Sequence, residues 1–196
     1  MTWISPHFQD IDFPSGMSLD QKIEVFADRV TGWQLDIAQQ CADNIPHSGF
    51  AALHILCSYF EMIAKFQDGY TKNDKSETYF RKGFYSVFPN LINNYSRQVS
   101  DGFLKKLYKD VRCGLYHAGI TGPNIWLSGD FPNAIEFELA NETIHINPHK
   151  LVPAIKQHFQ SYVRELRDYR NQQQRNNFET RFGKLGKGEN RPETPN

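Results

Sequence analysis

Apolar residues recur every three or four positions over four long stretches of this chain, and they shift to strict alternation in one short region. The first stripe is Leu19, Ile23, Phe26, Val30, Trp33, Ile37 and Cys41. Ser18 and Gln21 have the spacing of a capping box at its start, and Asn44, Ile45 and Pro46 end it. The second stretch, from about Ser48 to Phe66, is apolar nearly all round, which predicts a helix at the centre of a bundle. After the polar segment 67–75, SETYFRKGFYSVFPNL reads as a shorter, aromatic-rich helix stopped by Pro89. A third long helix is expected to start near Ser100 or Asp101, with Leu104, Leu107, Tyr108, Val111 and Leu115 on its inner stripe. The last begins near Pro148 and carries Val152, Ile155, Phe159, Tyr162, Val163 and Leu166. Its Pro153 falls in the first turns, where proline is tolerated.

Between the third and fourth long helices the period drops to two. Ile125 and Leu127, then Ile135, Phe137 and Leu139, then Ile144 and Ile146 form short alternating runs. The sequence therefore predicts a mainly α fold: four long helices in an up-and-down bundle plus a shorter helix. A small antiparallel β meander, about 124–147, is inserted before the last long helix. Residues 1–17 are rich in aromatics and turn formers and are expected to run extended over the bundle. From Asn171 onward the composition turns to Gln, Asn, Gly and charge, so the reading is one domain over 1–171 and a polar, disordered tail over 172–196.

Composition narrows the function classes. Hydrophobic residues make up 39% of 196 and aromatics 14%, enough for a sizeable core. Formal net charge is zero, so attraction to nucleic acid has to come from a local patch. Cys41, Cys57 and Cys113 lie in helical patterns at spacings that match no zinc module, which points to a reducing, cytoplasmic setting with no metal and no cofactor. The N-terminal stretch, with Asp10 and Asp12, lacks the pattern of a signal peptide, and no stretch is read as membrane-spanning.

The candidate chemistry lies in Lys105–Gly119, KKLYKDVRCGLYHAG. On a helix, Arg112 and His117 fall on the wet side, with Cys113 between them and Lys105, Lys109 and Tyr116 beside the arginine. Glu61, in the apolar second helix, is a candidate partner that would orient Arg112, while His54 is read as a core or boundary histidine with one hydrogen bond. The Gly119–Gly122 segment is read as a plain turn, and Arg81 and Lys82 as a solvated helix face.

An arginine, four residues and a histidine near the end of a bundle helix resemble the motif of the HEPN (higher eukaryotes and prokaryotes nucleotide-binding) superfamily. The likeness covers the motif and the bundle, about residues 18–170. It implies a metal-independent endoribonuclease, a toxin or defence component, that leaves a 2′,3′-cyclic phosphate. Arg112 would meet charge on the phosphate, His117 would transfer a proton, and Cys113, Tyr116, Lys109 and Glu61 would support the site or contact RNA. Two side chains about 140° apart on one helix do not converge, so the expected site is composite, at a homodimer interface, as the family uses. An antitoxin or other protein partner would restrain it. Cys113 stands where the family often has Asn, Asp or His. With the neutral net charge, it favours an alternative: a non-catalytic HEPN-like dimer that binds nucleic acid, nucleotide or a protein partner. In a third reading, Arg112 is salt-bridged to Glu61 or Asp110, and His117 serves the helix C-terminus.

Overall fold

The computed structural model describes residues 2–93 and 95–186, and it is a helical bundle with a small sheet. Helix α1 (Leu19–Val30) runs through a π turn (Thr31–Leu35) into α2 (Asp36–Asn44). The Ser18–Gln21 capping box forms as the spacing predicts, with Gln21 N donating to Ser18 Oγ at 3.3 Å and Ser18 N to Gln21 Oε1 at 2.8 Å. The π turn changes the phase of the stripe. Ile23, Phe26 and Val30 are buried as expected, but the next inward positions are Leu35 and Ala38. Trp33 and Ile37, predicted to face the core, are instead 46% and 47% exposed.

Helix α3 (Gly49–Asp68) is the hub. It has the length and composition of a membrane span, but neighbouring helices bury most of it, which marks a central bundle helix. Around it lie α4 (Ser76–Val87), the single-turn α5 (Pro89–Asn93) and the motif helix. The motif helix comprises α6 (Arg97–Lys106), a second π turn (Leu107–Cys113) and α7 (Gly114–Ala118). Its N-cap is Ser96, whose Oγ accepts from Val99 N at 3.4 Å, several residues ahead of the expected Ser100 or Asp101. Two aromatic clusters fill the core. Phe26 packs on Phe66, Phe159 and Phe178, while Phe60 packs on Phe80, Phe84 and Phe88.

The sheet is mixed and is not the antiparallel meander the alternation suggests. β3 (Thr143–Ile146) lies between β1 (Ile125–Leu127), to which it is parallel, and β2 (Ile135–Glu138), to which it is antiparallel. β3 buries Thr143, Ile144 and Ile146 and so takes the centre, where both of its edges are paired. Buried Asn147 then joins sheet to helix. Its Nδ2 donates to the Gly129 and Phe131 carbonyls at 2.8 and 2.7 Å, and its Oδ1 caps α8 (Pro148–Arg167) by accepting from Lys150 N.

The expected tail departs furthest from prediction. Gln172–Gly186 forms α9, which drives Phe178 into the Phe26 cluster and buries Phe182. Lys22–Glu179 (2.7 Å) and Arg175–Asp20 (2.6 Å) pin it, and Asn177 Nδ2 donates to the Gln67 carbonyl at 2.7 Å. The helical body therefore extends past residue 171; the rest of the expected tail, residues 187–196, lies outside the described residues.

The N-terminal segment crosses the first π turn as a strap, with Pro6 over Gly32, where a Cβ would lie 2.4 Å from the proline Cγ. Asp28 anchors it, accepting from Ser5 Oγ (2.6 Å) and His7 N (2.8 Å) and pairing with His7 Nδ1 (2.7 Å). Partial burial opposes ionisation of Asp28, but these donors outweigh it and hold its carboxyl below the ordinary value of 3.8. A carboxyl depressed on folding stabilises fully above its unfolded value and loses that contribution as pH falls through the folded one. The strap should thus loosen below about pH 4, seen as faster amide exchange at His7 and Ile4. Asp28→Asn should show the same loosening at pH 7, and protection unchanged in that variant would refute the anchor.

Candidate functional site

Arg112 reaches a cleft because of where the second π turn sets it. The turn keeps Leu107, Val111 and Leu115 on the core side and leaves the arginine at the edge facing α3. Such turns are frequent at functional sites. Gly114 admits the returning chain, since a Cβ there would be 2.6 Å from the Ile120 carbonyl oxygen, and Gly122 N donates to Asp110 O at 2.8 Å. Gly119, at φ +69°, closes the helix with its N–H on Leu115 O. The amides of Gly119 and Gly122 are both spent on backbone carbonyls, so this is the plain turn expected.

Glu61 holds the arginine. Its Oε2 lies 3.6 Å from Arg112 Nη2, while Oε1 accepts from Lys65 Nζ (2.7 Å) and Ser76 Oγ (2.9 Å). The guanidinium carbon sits 5.0 Å from the Tyr116 ring centre and 5.7 Å from that of Tyr108, an aromatic clamp that favours a cation. Cys113 is half-buried and contacts the Tyr108 phenol. Burial first, and then Cys113, push the pKa of that phenol upward. Across the gap, burial raises the Cys57 thiol to about 12, leaving it an inert thiol.

The cleft has a volume of about 590 Å³ and brings together residues from five regions of the chain, Asn73 and Ser76 from the start of α4 and the loop before it among them. Arg29 and Gln34 come from α1 and its π turn, and Arg112 and Tyr116 from the motif helix. His54, Glu61 and Lys65 come from α3, and Arg181 from α9. Burial pulls the Arg29 and Arg181 guanidinium groups down from their ordinary value, and Glu61 partly offsets this for Arg181. The Gln34 side-chain oxygen is buried without a hydrogen-bond partner among the described residues.

The six sequence candidates separate. Arg112, Glu61 and Tyr116 meet at the cleft, and Cys113 lies beside it. His117 is exposed on the last turn of α7, its ring edge-on to Tyr116 at 5.0 Å, and it does not line the cleft. Lys109 lies elsewhere, in a groove with Lys105, Lys106 and Phe137. His54, expected in the core or at its boundary, is exposed on the cleft rim, 6.5 Å from the Tyr116 ring. Arg81 and Lys82 pair with Asp101 and Asp68. Sequence reasoning missed Arg29 and Arg181. Lys65 had a visible signal, since it follows Glu61 by one turn in an otherwise apolar helix.

Among the described residues, no group of three or more His, Cys, Asp or Glu side chains is placed to hold a metal ion. Comparison with models of known families, with curated proteins and with solved structures found no match.

Proposed function

We propose that the protein is a metal-independent endoribonuclease of HEPN type, active as a homodimer. The observation that supports this reading most strongly is the division of labour along one helix. Arg112 is held by Glu61 and two tyrosines, while His117, five residues on, is exposed and its ring makes no hydrogen bond among the described residues. Within one copy the two do not share a cleft. A second copy facing the first across a twofold axis supplies the missing group to each. The chemistry then balances without further reagents. The ribose 2′ oxygen attacks phosphorus, the bond to the 5′ oxygen breaks, and the proton leaves the 2′ hydroxyl and returns to the leaving oxygen through His117. Arg112 meets the charge that grows on the phosphate. The products are a 2′,3′-cyclic phosphate and a 5′ hydroxyl. In this reading the protein acts in the cytoplasm as a toxin or defence component, kept in check by a protein partner.

One observation favours the structural alternative. Arg112 is paired with Glu61, as the reading that makes it a plain salt-bridge residue expects. Two substrates and one variant separate these readings. RNA with a 2′-deoxy nucleotide at the cleaved position should stay intact while the all-ribose strand is cut there. Cleavage of the deoxy strand would contradict the mechanism, and a monomeric variant that cuts as fast as the parent would contradict the dimer.

A further inference from the structure

The cleft that holds Arg112 carries three further cations that the cleavage chemistry does not use. Its lining holds four cations, Arg29, Lys65, Arg112 and Arg181, and one carboxylate, Glu61, an excess of three positive charges in a chain with no net charge. Glu61 engages Lys65 and Arg112. Among the described residues, the Arg29 side chain has only the Ile4 carbonyl at 2.9 Å and the Phe182 ring at 5.8 Å. Arg181 is 9% exposed, and its side chain makes no hydrogen bond or ion pair among the described residues. Its guanidinium is largely desolvated yet open to the cleft, where a bound anion would pair with it.

We propose that this cleft binds a di- or triphosphate group, carried by a nucleoside polyphosphate or by the 5′ end of an RNA. A polyphosphate concentrates several negative charges in a small volume, and guanidinium groups match its oxygens by paired hydrogen bonds. A volume of about 590 Å³ lies within the range of small-ligand sites, which suits one nucleotide. Tyr116 is 66% exposed at the mouth and offers a ring on which a base can stack. The cations come from α1, α3, the motif helix and α9, so the ligand also ties the C-terminal helix to the bundle.

Arg181 makes the idea testable, because the proposal requires opposite effects on stability and on binding. Arg181→Gln removes like-charge repulsion from the ligand-free cleft, so the variant should melt at or above the parent temperature. It should bind inorganic pyrophosphate about 10- to 100-fold more weakly, whereas Arg181→Lys should lose less. Pyrophosphate and ATP, added without metal to the full chain, should each raise its Tm by several degrees. A 5′-triphosphorylated RNA hexamer compared with ATP tells which carrier is preferred, and a 5′-hydroxyl hexamer of the same sequence should bind far more weakly than the triphosphorylated one. Pyrophosphate binding is measured on the parent chain whether or not that chain cleaves RNA, so binding here stands or falls separately from RNA cleavage. No response to pyrophosphate, ATP or the triphosphorylated hexamer at millimolar concentration would overturn the proposal. So would equal binding of the two hexamers, unchanged affinity in Arg181→Gln, or a large loss of ligand-free stability in that variant, which would make Arg181 structural.

Discussion

Glu61→Gln should destabilise the protein by about 3–5 kcal/mol, the cost typical of breaking a buried ion pair from one side. For a chain of this size that is roughly a 10 °C fall in Tm. The reason is Lys65, whose side chain is 3% exposed and whose ammonium has Glu61 as its salt-bridge partner at 2.7 Å. Without the carboxylate it retains the Tyr79 ring at 5.7 Å, which does not replace an ion pair. Glutamine keeps one acceptor oxygen but no charge, and its amide NH2 cannot face both cations, so the motif arginine is also left less constrained. Glu61→Gln combined with Lys65→Met should recover most of the loss, since an apolar side chain of similar length fills the site without a charge. A loss under about 1 kcal/mol in the single variant, or no recovery in the double one, would mean that the pair is not what supports Arg112.

Gly83→Ala should cost about 3 kcal/mol or more, although alanine is the better helix former by about 1 kcal/mol. A Cβ at position 83 would lie 1.8 Å from the Phe60 carbonyl oxygen and 2.6 Å from its carbon. Both are backbone atoms of α3, so no rotamer change relieves the contact. Helices α3 and α4 would have to separate, loosening Phe60 from Phe80 and Phe84, whose rings lie 5.4 and 5.1 Å away. Gly102 provides the control, because a Cβ there meets nothing within 4 Å in an exposed part of α6. Gly102→Ala should stabilise by up to about 1 kcal/mol. Equal Tm values for the two alanine variants in thermal melts would contradict this account of the close packing.

The bundle was legible because its stripes are strong and its caps are local. Ser18 with Gln21 and the apolar run of α3 each carry their signal within a few residues. Three features were not legible, each for a physical reason. A strict 3.6-residue period puts Trp33 and Ile37 inside, but the π turn over Thr31–Leu35 advances the phase and brings in Leu35 and Ala38. Alternation marks the strands without setting their order, and β3 became central through its burial and the Asn147 link, which are tertiary facts. The composition of α9 is that of a solvated tail; two phenylalanines and a set of long-range polar contacts make it part of the core. That last failure also hid part of the site. Arg112, Glu61 and Tyr116 were found through the motif and helix spacing, whereas Arg29 and Arg181 join them only because α1 and α9 pack against α3.

The central claim is most directly tested by incubating labelled RNA in EDTA with the purified parent, Arg112→Ala and His117→Ala. The account predicts cleavage by the parent to 2′,3′-cyclic phosphate ends. Each variant should lose about 10²- to 10⁴-fold in rate while keeping the parent helix content. Three equally inert, well-folded proteins, or a His117→Ala variant as active as the parent, would contradict it.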